Sequence, residues 1–152
     1  ASALTGNSPA TFSCDLSGGA PSAETALTAS GLTPRAEAVR KDLIRRFGGL
    51  ALGGYAPDGV SSGHMKGSAH YDGRAIDVFV RPISKPNKVR GWAVAHWAVA
   101  NASRLSIRTV IFDDRIWTAG RDGWRDYEVP SSSRGDIKIL EHRDHVHIDV
   151  FR

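Results

Sequence analysis

Six residues near the end of the sequence, 145–150, alternate strictly between polar and apolar side chains. Successive side chains of a β-strand point to opposite faces of its sheet, so the pattern predicts a strand with one apolar and one polar face. The apolar side chains belong to the core. The polar side chains of His145, His147 and Asp149 share the other face, and the two histidines there need either solvent or a metal ion to satisfy them. We therefore expect a fold built on a sheet with a functional face.

Local patterns predict the elements around this strand. Thr33-Pro34 is typical of an N-cap followed by proline at the first helical position, and Gly48-Gly49 ends the amphipathic helix that follows. Asp113-Asp114 is the expected turn of a hairpin. The remaining predicted elements are strands at 50–52, 75–80, 109–112 and 115–119, a long helix at 87–105 and a helical turn at 137–140. Together they predict an α+β fold with a small, mainly antiparallel sheet flanked by helices.

The length of 152 residues and a hydrophobic content of 41% suit a single domain. Residues 1–32 are rich in Ser, Thr, Ala, Gly and Pro, which predicts an extended N-terminal lead before a domain at 33–152. No run of about 18 apolar residues is present, so no transmembrane segment is expected. The single cysteine, Cys14, cannot form an internal disulfide and is given no catalytic role.

The net charge of +4 and the pI near 9.6 favour anionic partners, which include nucleic acid, acidic lipids and cell-wall polymers. The basic residues are scattered rather than gathered into a stripe, and the sequence has no signature of a nucleic-acid-binding module. We expect no nucleic-acid partner. A basic domain that binds nucleic acid or an acidic polymer independently of metal stays open as a third alternative.

Histidines and acids cluster in two places along the chain. His70 and Asp77 form one cluster, with Gly73 between them to let the chain turn back. The second cluster spans 142–147. Zinc prefers imidazole nitrogen and carboxylate oxygen, and a catalytic site supplies three such ligands and leaves a fourth position for water. The two clusters together predict a site for one zinc ion.

Both clusters match motifs of a known superfamily. The segment 68–77 reproduces S-x-H-x-x-G-x-A-x-D at every defined position, and 145–147 supplies H-x-H. In these motifs the sequence resembles the LAS superfamily, the D-Ala-D-Ala carboxypeptidase and lysostaphin-like zinc metallopeptidases. The resemblance implies that His70, Asp77 and His147 hold the zinc. It also implies that the substrate is a cell-wall (peptidoglycan) peptide, whose amide bond is hydrolysed.

Hydrolysis also needs a general base beside the zinc-bound water. By resemblance the candidates are Asp144, His145 and His142. Asp144 is favoured first and His145 next, because a carboxylate can take the proton of water and later give it to the leaving amine. The alternative for Asp144 is a surface acid paired with Arg143 or another base.

The sequence indicates the substrate-binding residues less clearly than the metal ligands. Carboxypeptidases of the superfamily commonly have an arginine after a Gly-Tyr step, whereas here Gly54-Tyr55 is followed by Ala56. Tyr55, Ser68 and Arg74 are the candidate substrate-binding residues, and Lys66 or Arg81 are further candidates for the missing cation. Both a carboxypeptidase and an endopeptidase stay open.

A catalytically inactive zinc-binding or cell-wall-binding module of the same fold is the alternative to a hydrolase. In either case the substrate implies a location outside the cell or at the outer face of the cell envelope, with a membrane tether as one possibility. We expect a monomer.

Overall fold

The computed structural model describes residues 26–152. Most of the predicted lead at 1–32, with Cys14, lies outside the described residues. The described part forms an α+β fold around one six-stranded antiparallel sheet with the strand order β1-β2-β6-β3-β4-β5. The strands are β1 Ala51–Gly53, β2 Ala75–Phe79, β3 Ile107–Phe112, β4 Arg115–Thr118, β5 Arg125–Asp126 and β6 His145–Val150. The helices are α1 Pro34–Phe47, α2 Lys85–Ala100, α3 Ala102–Leu105 and α4 Ile137–Leu140, with a 3-10 helix at Ala69–Asp72.

Strand β6 lies in the middle of the sheet, between β2 and β3. Its apolar side chains face α1 and α2, and every residue of the strand is buried. Each aliphatic side chain removed from water in this way contributes about 1.5–3 kcal/mol to folding. The core between sheet and helices includes Val39, Leu43, Ile76, Val78, Val94, Ala98, Val110, Val146 and Ile148. The opposite face of β6 is left to its polar residues.

The helices begin and end where local chemistry sets their limits. Thr33 caps α1 by accepting a hydrogen bond from the Ala36 amide, and Ser84 caps α2 by accepting one from Asn87. The long helix predicted at 87–105 is interrupted at Asn101, whose side chain donates to the Trp97 carbonyl at 2.8 Å. Asn101 ends α2, and the short α3 follows. Within residues 26–152 no helix is both long enough and apolar enough to cross a membrane.

Candidate metal centre

Three groups converge on the polar face of the sheet. Asp77 of β2 lies directly opposite His147 of β6 in the antiparallel register, and His70 reaches them from the 3-10 helix. His70 Nε2 is 3.0 Å from His147 Nδ1 and 3.3 Å from Asp77 Oδ1, and His147 Nδ1 is 3.2 Å from Asp77 Oδ1. All three residues are buried. The two sequence clusters, 70 residues apart in the chain, meet at one point.

The backbone around His70 holds its ring in this position. Ser68 caps the 3-10 helix by accepting from the His70 amide, and Gly73 ends that helix in the left-handed conformation at φ 65°. The His70 Nδ1 lies 2.7 Å from the carbonyl oxygen of Gly54, to which it donates. Gly54 has φ +79°, and a Cβ there would lie 2.4 Å from His70 Cε1 and 2.9 Å from Asp77 Oδ2. A side chain at position 54 would therefore enter the site.

The hydrogen bonds determine which atoms face the centre. Because His70 Nδ1 donates to a carbonyl, its Nε2 carries a lone pair. His147 turns its Nε2 toward Asp149 Oδ2 at 3.7 Å, which leaves Nδ1 facing Asp77. His70 Nε2, His147 Nδ1 and Asp77 Oδ1 thus meet at one buried point, where either a shared proton or a metal ion satisfies them. The donor set and its spacing fit a metal ion.

The electrostatics of the centre also favour positive charge. Burial lowers the pKa of His147, but the contacts with Asp149 and Asp77 prevail and raise that pKa to about 9. Burial likewise opposes ionisation of Asp77, yet hydrogen bonds with His147 and His70 hold the pKa of its carboxyl well below the ordinary value. Arg108 fixes Asp149 by a bidentate ion pair of 2.8 and 2.9 Å.

His64 extends the centre beyond the predicted residues. Its ring stacks on that of His70, with the centroids 3.9 Å apart. The Tyr71 hydroxyl fixes the backbone of His64, since it donates to the carbonyl and accepts from the amide at 3.0 Å. His64, His70 and Asp77 form a group that could hold a metal ion. His70 and Asp77 are therefore shared by two sets of three ligand atoms, one completed by His147 and the other by His64.

His145 and Asp144 form a second unit beside the centre. His145 Nδ1 donates to Asp144 Oδ1 at 2.7 Å, which leaves the lone pair on Nε2, 3.9 Å from Asp77 Oδ1. The other carboxylate oxygen of Asp144 accepts from Arg81 Nε at 2.6 Å. Burial raises the pKa of Asp144, but the bonds from His145 and Arg81 outweigh it and lower the pKa. Asp144 is therefore a buried anion with both oxygens engaged.

His142 lies behind His145 in the loop before β6. Its ring centroid is 4.7 Å from that of His145 and 5.8 Å from that of His147. Burial, with the charges of His147 and His145, lowers the pKa of His142 to about 3. Its Nδ1 is buried without a hydrogen-bond partner within the described residues. The ring is therefore neutral near pH 7 and lines the centre from the side of β6.

The comparison with known protein families shows to which family the chain belongs. The family model of the VldE C-terminal domain matches residues 28–137, well over half of the sequence. The chain belongs to the VldE C-terminal domain family. The match includes His64, His70 and Asp77 and ends before β6. Neither the curated proteins nor the solved structures contain a match to the chain.

In this member of the VldE C-terminal domain family, the predicted substrate-binding residues have structural contacts. Ser68 is the cap of the 3-10 helix. The Arg74 guanidinium is buried and donates to the Val150 carbonyl at 2.9 Å and to Asp72 at 2.8 Å. Tyr55 packs against the hydrophobic core. Each of the three supports the framework near the metal centre, and substrate binding by them stays a prediction.

Sequence reasoning missed two residues of the centre, His64 and Gly54, and placed a third, Asp149, on the polar face without identifying it as a partner of His147. In the sequence, His64 stands at no spacing from another histidine or acid that would indicate a metal site. A loop brings its ring onto that of His70. Gly54 gave no signal beyond its place in a glycine-rich stretch. Asp149 shares the polar face of β6 in the sequence pattern, and this alternation was the one signal that could have marked it as a partner of His147.

Proposed function

We propose that the chain is a zinc-dependent hydrolase of amide bonds in bacterial cell-wall peptides, related to the LAS metallopeptidases. The observation that carries the proposal is the triangle of His70 Nε2, Asp77 Oδ1 and His147 Nδ1, with sides of 3.0, 3.2 and 3.3 Å. Ligand atoms at about 2.0–2.1 Å from a tetrahedral zinc ion lie about 3.3 Å from one another. Two histidines and one carboxylate with a fourth position left open are the composition of a catalytic zinc site.

Zinc bound by these residues would supply a water of lowered pKa and polarise the carbonyl of the substrate. The protein must then accept a proton and return it to the leaving amine. His145 suits this role because its Nε2 carries a lone pair and faces the centre, while Asp144 fixes the tautomer through Nδ1. We therefore assign proton transfer to His145 and the positioning of its ring to Asp144, whose two oxygens are already engaged.

The substrate class rests on the motifs and on charge. The LAS-like motifs at 68–77 and 145–147 support a peptidoglycan peptide, and the net charge of +4 suits the anionic polymers of a cell wall. With that substrate, the protein would act outside the cell or at the outer face of the envelope. Both carboxypeptidase and endopeptidase activity are compatible with the centre.

The first experiment measures metal content by mass spectrometry after exposure to zinc and removal of the excess. We expect about one zinc per chain in the wild type, and loss of zinc in His70→Ala and His147→Ala. His96→Ala is the matched control, because His96 is exposed on α2, where it stacks on Trp92. A wild-type protein that retains no metal would contradict the proposal. His64→Ala decides between the two ligand sets, and retained zinc in this variant supports the set with His147.

The second experiment follows hydrolysis of purified wall peptides with and without a chelator. We expect His145→Gln to retain zinc and to lower kcat by about 10² to 10⁴-fold, the range of general-base catalysis. Asp144→Asn should retain zinc with a smaller loss, because it removes the partner of the base rather than the base itself. Zinc bound without turnover in the wild type would favour the alternative, an inactive zinc-binding module of the cell wall.

A further inference from the structure

One residue turns inward from the loop between β1 and the 3-10 helix. Residues 61–63 and 65–67 are exposed to solvent, whereas His64 between them is partly buried. Its ring stacks on the His70 ring, with an angle of 17° between the two planes. An otherwise exposed stretch of the loop thus brings a single imidazole to the edge of the metal centre.

Hydrogen bonds to the backbone hold His64 in this place. The Tyr71 hydroxyl bonds to both the amide and the carbonyl of His64, and the Tyr71 ring lies edge-on to the imidazole at 5.9 Å. The Met65 carbonyl accepts from the Ser68 amide, and the Met65 sulfur accepts from the Ser133 hydroxyl at 3.1 Å. Within residues 26–152 the ring nitrogens of His64 themselves have no hydrogen-bond partner, so they are available to a ligand.

A nitrogen of the His64 ring lies close to the ligand atoms of the centre. One ligand atom each of His64, His70 and Asp77 lie within 4.8 Å of one another. Two ligand atoms of one tetrahedral zinc ion lie about 3.3 Å apart, so the His64 ring must turn out of its stack and move inward to bind the ion. Gly63 and Gly67 flank His64 in the left-handed conformation, and a Cβ on either would meet nothing within 4 Å. The loop therefore has the space and the backbone freedom for this movement.

We propose that His64 is a displaceable fourth ligand, which closes the zinc site at rest and gives up its place to water or substrate. The proposal rests on the proposed function for the presence of zinc, and it adds a regulation of that same site. A zinc ion with four protein ligands is closed, whereas one with three is open to catalysis. The sheet and the 3-10 helix position the other three ligands, so the ion stays bound when the loop withdraws His64. Tyr71 is then a positioning residue, which keeps His64 within reach of the ion.

The test uses protein loaded with cobalt, whose visible absorption depends on the ligands of the ion, and acetohydroxamate as a probe for the fourth position. We expect His64→Ala to retain cobalt with an altered spectrum, and added imidazole to restore the wild-type spectrum. Acetohydroxamate should bind His64→Ala about tenfold more tightly than wild type, the factor for a position that is open about a tenth of the time. Tyr71→Phe keeps the aromatic ring but removes both bonds to His64, so it should give a smaller change in the same direction.

Ser62→Ala, at an exposed position of the same loop, is the matched control and should equal wild type in both measurements. Release of zinc to a chelator is an independent readout, and it should be about tenfold faster in His64→Ala than in Ser62→Ala.

The outcomes separate this proposal from the proposed function. If wild type and His64→Ala bind cobalt with the same spectrum and acetohydroxamate with the same affinity, the proposal is overturned and the metal centre stands. Loss of cobalt in His64→Ala also overturns it, because His64 would then be an essential ligand. A wild-type protein that binds no cobalt overturns the metal centre together with the proposal. Neither spectrum nor affinity depends on hydrolysis, so absence of turnover does not affect the result.

Discussion

At the scale of single residues, Gly54 sets how closely the chain approaches the metal centre. We predict that Gly54→Ala loses zinc, because the added Cβ would lie 2.4 Å from His70 Cε1 and 2.9 Å from Asp77 Oδ2. Gly120→Ala is the matched control. It has nearly the same backbone strain, φ +77° against +79°, but a Cβ there has nothing within 4 Å. Zinc content by mass spectrometry compares the two, and equal loss in both would assign the effect to backbone strain.

Asp149 acts on the centre through the far nitrogen of His147. We predict that Asp149→Asn weakens zinc affinity by about 10 to 100-fold, the usual effect of removing a carboxylate that orients a ligating histidine. Competition with a chromophoric chelator measures the affinity. Asp126→Asn serves as control, because Asp126 is an exposed carboxylate that pairs with Arg115 in β4. Unchanged zinc affinity in Asp149→Asn would show that Asp149 only stabilises the sheet through Arg108.

At the scale of elements, α1 contains a titratable contact that holds the segment before it. Glu37 accepts hydrogen bonds from Arg40 at 2.7 and 2.8 Å and from Ser30 at 2.7 Å. The bonds from Arg40 lower the pKa of Glu37, burial opposes them, and Ser30 adds to the lowering. A carboxylate with a lowered pKa stabilises the fold above its unfolded pKa of about 4.3 and loses this effect as the pH falls through the folded value.

We therefore predict that Glu37→Gln lowers the free energy of unfolding by about 1 to 2 kcal/mol at pH 7. The difference from wild type should shrink as the pH falls below about 4.3, because the wild-type carboxylate then becomes protonated as well. Urea unfolding at several pH values measures it. Glu128→Gln, at an exposed position, should show no such pH dependence. A difference that persists at low pH would contradict an ionic origin.

The sequence predicted those elements whose signals are local. The Thr33-Pro34 start and the Gly48 end of α1 follow from capping chemistry, and the position of β6 follows from strict alternation. The break at Asn101 was missed because the apolar spacing continues beyond it and the interruption depends on a side chain bonding to Trp97. Strand β5 has two residues, too few for any period to appear.

At the scale of the whole molecule, the three proposed zinc ligands connect the 3-10 helix and β2 to β6. Zinc bound to the native state alone stabilises it by about 2.7 kcal/mol at a concentration 100 times its Kd. We predict that zinc raises Tm by about 10 °C in the wild type and in His96→Ala, and that a chelator reverses the rise. His147→Ala should show no rise. Calorimetry measures both, and an equal rise in His147→Ala would place the ion elsewhere.

Local sequence patterns could not predict the order of the strands in the sheet. Each of its strands could be found from the residues within it, except β5, but the order β1-β2-β6-β3-β4-β5 depends on contacts between distant segments. The meeting of His70, Asp77 and His147 was expected from the motifs. The stacking of His64 on His70 was not, because a loop without periodicity determines it.

The central position of β6 has a consequence for the timing of assembly during synthesis. The two neighbours of this strand, β2 and β3, are translated well before it and are not paired with each other in the finished sheet. A nascent chain that ends before residue 145 has His70 and Asp77 but lacks both His145 and His147. On the proposed mechanism such a chain is inert, so hydrolytic capacity arises only when β6 enters the gap between β2 and β3.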